Sequence, residues 1–495
     1  MTDDKFFEEM ESHIPHGQIR TRFAPSPTGY MHVGNLRTAL YTYLIAKHEA
    51  DGVFILRIED TDQSRQVEGA EEIIYHTLEE CGLRHDEGPD VGGPVGPYIQ
   101  TERRGMYKKY ARMLAERGHA YYCFCDKAVS EEDSGEFDRE DDPCRSLDPA
   151  EALKRAETES YVIRQKVPKE GSTTFHDASF GDITVPNDSL DDQVLLKRDG
   201  LPTYNFANVV DDHLMGITHV VRGSEYLASA PKYNLLYEGF GWEIPEYVHC
   251  SPVMRDAQHK MSKRHGDPSY EDLRADGYLT EAILNYVALL GWSPRGEIAE
   301  REFFTLSELA EVFDIAGISK SPAIFDIEKL KYFNAQYIRN MSPEQFAAAA
   351  RPYIRQAVKN EALSVSKIAA LLQNRCEKLT DIPEKLDFFD DLPEYGTECY
   401  TNKKSKTDPE ISLNVLKAML PVLEGLASWD EESIKTAFTD MAAKMECKNA
   451  TVMWPVRIAA SGRIVTPGGV VEICDILGKE ETLKRIKAGI LKLEA

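Results

Sequence analysis

No apolar run in this sequence approaches the roughly 20 residues that a membrane-spanning helix needs. The opening stretch, MTDDKFFEEMESHIPHGQIR, is acidic and lacks an apolar core. A secretory signal and an Arg-rich transit peptide are therefore both unexpected, and the cytosol is the expected compartment. A disulfide framework is unexpected too. The nine cysteines are an odd number, and Cys81, Cys250, Cys376, Cys399, Cys447 and Cys474 lie far apart. Only Cys123, Cys125 and Cys144 cluster. Net positive charge is also missing: 58 basic against 83 acidic side chains leave −25. That lowers the expectation of a nucleic-acid partner without deciding it, because a total does not say where the positive charges sit. Internal repeats and long low-complexity segments are absent. So is any Ser/His/Asp or Cys/His constellation that would argue for a side-chain nucleophile.

What is present is ordinary core material, 42% hydrophobic, in a 495-residue chain long enough for roughly two to five domains. Residues 18–101 alternate in the α/β manner. QIRTRFAP is a short strand. NLRTALYTYLIAKHEA places Leu36, Ala39, Leu40, Tyr43 and Leu44 on one helical face. GVFILRIED reads as a buried parallel strand, and GAEEIIYHTLEECGL as an amphipathic helix. Strand–helix–strand in this order predicts a doubly wound sheet. EGPDVGGPVGP reads as loop, and YKKYARMLAERG as a helix before the cysteine-bearing segment. Residues 131–142 read as a solvated acidic loop. VLLKRDGLPTYNFANVV reads as a hairpin. THVVRGSEYLASAPKYNLLYEGFGW returns to a strand–helix pattern, so residues near 102–203 are expected as an insertion splitting one α/β domain. Beyond about 270 the pattern is mostly helical, and polar TNKKSKTDPE, residues 401–410, is expected to break that region in two.

Two segments carry chemistry. FAPSPTGYMHVGN precedes a helix, and helix N-termini suit phosphates because their N–H groups lack intrahelical partners. Gly29 and Gly34 permit tight turns and close ligand approach. His32 can donate a hydrogen bond where negative charge builds up in a transition state. A structural turn with a capping histidine fits this motif equally well. HKMSKRHGD gathers Lys260, Lys263 and Arg264 in a basic loop able to neutralise a leaving pyrophosphate, or simply to be solvated.

Together, H-V-G-N at the first strand–helix turn and K-M-S-K-R about 230 residues later resemble the paired signature of the class I aminoacyl-tRNA synthetases. In detail the chain resembles the glutamyl-tRNA synthetases of bacterial type. TRFAPSPTGYMHVGN, RIEDTD, DEGPDVGGPVGPYIQTER, LPTYNFANVVDDHLMGITHVVRGSEY, KMSKR and FDIEKLKYFNAQYI carry the resemblance over residues 20–340. TPGGVVEICDILGKEETLKRI continues it to the C-terminus.

The resemblance implies an α/β fold: a Rossmann-like doubly wound catalytic domain with an inserted α+β domain, then a helical C-terminal anticodon-binding region. The implied divisions are a catalytic domain in two halves (18–101 and 204–255), an inserted acceptor-stem-binding domain (102–203), a stem-contact domain with the KMSKR loop (256–339), and helical anticodon-binding subdomains (340–403 and 404–495). The implied activity is attachment of L-glutamate to tRNA(Glu) with ATP and Mg²⁺, through a glutamyl-adenylate, by a cytoplasmic monomer. His32, Gly34, Lys260 and Lys263 would be catalytic. Pro25, Thr28, Gly29, His32, Gly34, Asn35 and Lys263 would hold ATP. Arg22, Ser26, Glu59, Tyr204, Asn208 and Arg222 would hold glutamate. That set suits a substrate with two carboxylates and one ammonium: the arginines hold the side-chain carboxylate in planar contacts, and Glu59 pairs with the ammonium. Arg375 would read the anticodon; a surface ion pair is an equally good account of it. Cys123, Cys125 and Cys144 would bind zinc, but Ser146 stands where the family pattern puts a fourth ligand. Three structural thiols remain the other reading. The competing activities are a glutaminyl-tRNA synthetase, whose anticodon region is normally β-barrel, a small-molecule nucleotidyltransferase, and a non-enzymatic tRNA- or nucleotide-binding protein.

Overall fold

The expected alternation forms in chain order: α1 (Thr2–Ser12), β1 (Arg20–Phe23), α2 (Val33–His48), β2 (Val53–Leu56), α3 (Ala70–Glu80), α4 (Arg104–Glu116), β3 (Ala120–Cys123), α5 (Pro149–Arg155), β4 (Val162–Gln165), β5 (Ser172–Asp177), β6 (Gly181–Pro186), β7 (Val194–Leu196), α6 (Tyr204–Leu214), β8 (His219–Gly223), α7 (Ala230–Phe240) and β9 (Glu246–Cys250). The structure is a computed structural model that describes residues 2–61, 67–125, 142–261 and 266–495. The acidic stretch 131–142 therefore lies, except for Asp142, outside the described residues, as does Lys263. The chain divides into two compact units. One comprises Met1–Leu273 and Ile283–Asp326, the other Arg274–Ala282 and Ile327–Ala495.

In the first unit a six-stranded sheet runs β2-β1-β8-β9-β5-β6. Every neighbouring pair is parallel except β5–β6. Strand β2 is almost wholly buried, which explains why its sequence is a continuous apolar run rather than an alternating one. Helix α2 packs on β1, β2 and β8. Helices α4, α6 and α7 share a core with the sheet, built on Tyr107, Tyr110, Phe206, Val210, Leu236, Phe240 and Tyr247.

Two expectations are corrected here. The segment VLLKRDGLPTYNFANVV is not a hairpin. Its first run is β7, and the chain doubles back only as far as the Leu196–Pro202 bridge. Extended Thr203 then opens α6, which buries Phe206, Val210 and Leu214 at helical spacing. Nor is the insertion wholly separate. β3, β4 and β7 form their own small antiparallel sheet, but the β5–β6 hairpin extends the main sheet through the Asp177–Tyr247 pairing.

The second unit is helical, with helices Ile327–Asn340, Pro343–Ala357, Val365–Leu372, Pro409–Glu424, Glu431–Lys444, Asn449–Ser461 and Val470–Glu494. The stretch at 401–410 closes on itself through an Asn402–Thr407 bridge. Apolar residues from both sides of it share one continuous core, from Leu279 to Ile486. Buried Arg485 ties that core together, donating to the carbonyls of Phe388 and Ala460.

Candidate active site

Candidate residues gather beyond the carboxyl ends of β1, β2 and β8. In open α/β sheets this is where ligands bind, at the point where successive connections diverge to either side of one strand. The Pro-rich turn after β1 runs along the continuation of β2. Arg57 and Glu59 donate their backbone N–H groups to the carbonyls of Phe23 (3.0 Å) and Pro25 (3.1 Å). A tight Ser26–Thr28 turn (2.8 Å) and Gly29, at φ +104°, reverse the chain. Ser26, Thr28 and Asn35 are exposed; Pro25 and Gly29 are half-buried.

His32 is the N-cap of α2. Its Nδ1 accepts from the backbone N–H of Gly34 (3.0 Å) and of Asn35 (3.3 Å). An Nδ1 that accepts leaves the proton of a neutral ring on Nε2, so the same side chain caps the helix with one nitrogen and is a donor through the other. The ring lies against Gly34, where a Cβ would meet His32 Cε1 at 2.9 Å. Glycine is thus required by the histidine's conformation. The two N–H groups expected to greet a phosphate are engaged by His32.

Ser269 bridges to His32, and Tyr270 donates its backbone N–H to the carbonyl of Met31 (3.0 Å). The chain leaving the K-M-S-K-R loop is therefore tied to the H-V-G-N turn. On the other side of the loop, Lys260 closes a hairpin with Met254 and points its ammonium at Glu225 (3.4 Å), both side chains exposed.

Beneath the turn lies a buried quartet of charge. Arg22 grips both oxygens of Asp212 (2.9 and 3.2 Å) and also reaches the Val221 carbonyl. Arg57 bridges Asp212 (2.7 Å) and Glu59 (2.8 Å). Burial raises the Asp212 carboxyl, but two arginines outweigh it and hold it below the usual carboxylate range. Burial also raises Glu59, which among the described residues is bonded by Arg57 and feels Asp212's charge, and there burial prevails. Neighbouring Asp211 serves a second network, taking Arg103 (2.7 Å), Gln100 and Tyr107. Asp60 holds Thr101 through its backbone and hydroxyl.

Arg222 is different. Its Nε donates to His249 Nε2 (3.1 Å), while its buried Nη2 has no hydrogen-bond partner among the described residues. The guanidinium lies over the rings of Tyr233 (4.5 Å), Tyr226 (5.2 Å) and Tyr247 (5.6 Å). Asn208 Nδ2 is likewise buried, with no hydrogen-bond partner among the described residues. Tyr204 stacks at a tilt on Tyr226, and burial, then the charge of Glu59, pushes its phenol far up. Two unsatisfied buried donors, one of them cationic, are a costly arrangement unless an acceptor arrives. An anionic group fits that demand.

The cysteine cluster gains its missing member. Cys123, Cys125, Cys144 and Asp142 bring one ligand atom each within 4.8 Å of one another. Three sulfurs and a carboxylate oxygen are a donor set that suits zinc. Asp142 is oriented by the Cys144 backbone N–H (2.9 Å) and the Tyr121 hydroxyl (3.1 Å). Burial pushes Cys123 up to about 11 and Cys125 up to about 12; a coordinating cation reverses that direction.

In the helical unit, Arg375 is exposed just beyond Val365–Leu372. Half-buried Arg457 has its pKa lowered by burial and by the nearby charge of Arg375.

Sequence reasoning missed Arg57, Asp212, His249, Asp177 and Asp142. A signal existed for Asp212: two successive aspartates inside the otherwise apolar run of α6 must find cationic partners.

The model for the catalytic domain of tRNA synthetases class I (E and Q) matches residues 18–332, and that for an anticodon binding domain matches residues 345–490. The glutamate--tRNA ligase of Clostridium botulinum is 59% identical over 486 residues, covering 97% of this chain and 99% of that protein. That of Clostridium acetobutylicum is 56% identical over 484 residues, covering 96% and 99%. A crystal structure of a glutamate tRNA ligase from Elizabethkingia meningosepticum in complex with its amino acid superposes with a TM-score of 0.86 at 36% identity, covering 96% of this chain and all of that one. The sheet with its β1–β8 divergence, the capped H-V-G-N turn and these matches agree: the chain belongs to the class I (E and Q) tRNA synthetases.

Proposed function

We infer that the protein attaches L-glutamate to tRNA(Glu) in two steps, consuming ATP and releasing pyrophosphate and AMP. The observation that carries this reading is the pair of buried donors, Arg222 Nη2 and Asn208 Nδ2, that have no hydrogen-bond partner among the described residues. They receive the side-chain carboxylate of glutamate, with Arg22 behind them. Glu59 faces the ammonium, and Tyr204 and Ser26 complete the cleft. A hydrogen bond to a charged group is worth about 1.5–3 kcal/mol net. Neutral glutamine forfeits such a contribution and leaves Arg222 under-paired.

ATP lies over Pro25, Thr28, Gly29, His32, Gly34 and Asn35, with Lys260 and Lys263 on the triphosphate. Bound with ATP, Mg²⁺ would supply positive charge against the phosphates. An α-carboxylate oxygen of glutamate attacks the α-phosphorus, the bond to the β-phosphate oxygen breaks, and pyrophosphate leaves with the electron pair. His32 Nε2–H donates to a phosphate oxygen as charge grows there. The terminal adenosine hydroxyl of the tRNA then attacks the adenylate carbonyl, AMP departs, and the hydroxyl proton passes to solvent. No side chain becomes covalently attached.

The inserted segment takes the acceptor stem, and the helical unit takes the anticodon with Arg375. Cys123, Cys125, Cys144 and Asp142 would hold zinc, which would brace the inserted segment. The enzyme works as a cytoplasmic monomer.

Charging of purified tRNA isoacceptors with labelled glutamate and labelled glutamine tests this. Glutamate should be esterified to tRNA(Glu) and glutamine should not. Absence of glutamylation, or preference for glutamine, contradicts it.

A further inference from the structure

We propose that Asp177 and His249 are positioning residues that fix the guanidinium of Arg222 for the substrate's side-chain carboxylate. This deepens the reading just given and rests on it.

Arg222 and His249 are register partners on the parallel strands β8 and β9, and both His249 and Asp177 are fully buried. One Asp177 oxygen takes His249 Nδ1 (2.6 Å) and the His249 backbone N–H (3.1 Å). The other takes the backbone N–H groups of Ser179 (2.9 Å) and Phe180 (2.8 Å). Four contacts hold this carboxylate as an acceptor, so the imidazole proton is on Nδ1. Nε2 then presents a lone pair, and among the described residues the donor it meets is Arg222 Nε at 3.1 Å. The opposite tautomer would set an N–H against an N–H. With Nε committed and its faces lying over tyrosine rings, the guanidinium plane has one orientation, and Nη2 is left unsatisfied.

Asp177 belongs to the inserted segment and is the residue through which β5 pairs with β9. One contact therefore joins the insertion to the main sheet and sets the substrate-binding cation.

The test is glutamate-dependent ATP–pyrophosphate exchange, in the presence of tRNA, for Asp177→Asn, His249→Ala, His249→Gln and Arg222→Ala, with thermal unfolding to check folding. Asp177→Asn and His249→Ala should raise the KM for glutamate about tenfold, the size of one charge-assisted hydrogen bond. The KM for ATP and kcat should stay within about twofold of wild type. His249→Gln, whose amide oxygen can accept from Nε, should recover much of the loss. Asp177→Asn added to Arg222→Ala should raise KM no further, because it acts through that arginine. If Arg222→Ala leaves glutamate saturation unchanged, the underlying pocket reading fails. If Arg222→Ala raises KM and neither His249 variant does, the positioning role is overturned while the pocket stands. Equal damage to glutamate KM, ATP KM and kcat in the folded variants also overturns it.

Discussion

Replacing His32 separates its two duties, because only one of them survives in asparagine. The His32 side chain accepts two backbone N–H groups at the start of α2 through Nδ1, at 3.0 and 3.3 Å. An asparagine oxygen can take over that cap, and asparagine is among the preferred N-cap residues. It cannot reproduce a donor at the position of Nε2. His32→Asn should therefore keep stability within about 0.5 kcal/mol, whereas His32→Ala should lose about 1 kcal/mol with the cap. Both should lose the donor to the phosphate. Removal of one pre-placed donor of this kind slows chemistry by about 10²–10³-fold, equivalent to roughly 2.7–4 kcal/mol. Single-turnover adenylate formation and thermal unfolding, measured on the same preparations, read the two effects independently. Stability should order wild type and His32→Asn above His32→Ala, with both variants equally slow. Near-normal turnover in His32→Asn would refute the reasoning, since the histidine would then be a cap and nothing more.

Three further outcomes follow from the geometry. Gly34→Ala places a methyl 2.9 Å from His32 Cε1; alanine favours helix by up to about 1 kcal/mol, so activity should fall about tenfold or more with no comparable loss of stability, read by the same two assays. Asp142→Ala should strip zinc, with metal analysis giving well under one equivalent where wild type gives about one, and should lower the melting temperature; full zinc retention would remove Asp142 from the ligand set. Burial, opposed by Asp177 and Glu225 and helped by Arg222, holds His249 below its ordinary pKa. Below about pH 6.5 the unfolded chain binds a proton the native one refuses, so this contribution to stability is present above that pH and declines as pH falls, at up to about 1.4 kcal/mol per unit. The decline should be shallower in His249→Gln.

Much of this was legible from residues alone, and the failures have physical causes. Strands β1 and β2 and helices α2, α3, α4 and α7 follow from apolar periodicity and Gly/Pro punctuation. The Tyr204–Leu214 helix did not, because its polar Asn208, Asp211 and Asp212 break the apolar period; the two aspartates are buried by partners as distant in sequence as Arg22 and Arg103. The mistaken hairpin followed from that. Among the pocket residues named from sequence, Arg22 is gripped by Asp212, a bond spanning 190 residues that no local pattern reveals. Asp142 lies in a run of acids that reads as solvated charge, and it stands two residues before Cys144, whereas the family pattern puts a fourth ligand two residues after it. His249 and Asp177 lie in short strands with no motif, and only the register of β5, β8 and β9 brings them to Arg222.

The most direct measurement is ATP–pyrophosphate exchange with glutamate and with glutamine, each with and without tRNA(Glu), on wild type and Arg222→Ala. The account predicts exchange that depends on glutamate, is weak or absent with glutamine, and in the variant needs at least about tenfold more glutamate. No exchange with glutamate under either tRNA condition, or wild-type glutamate saturation in Arg222→Ala, would contradict it.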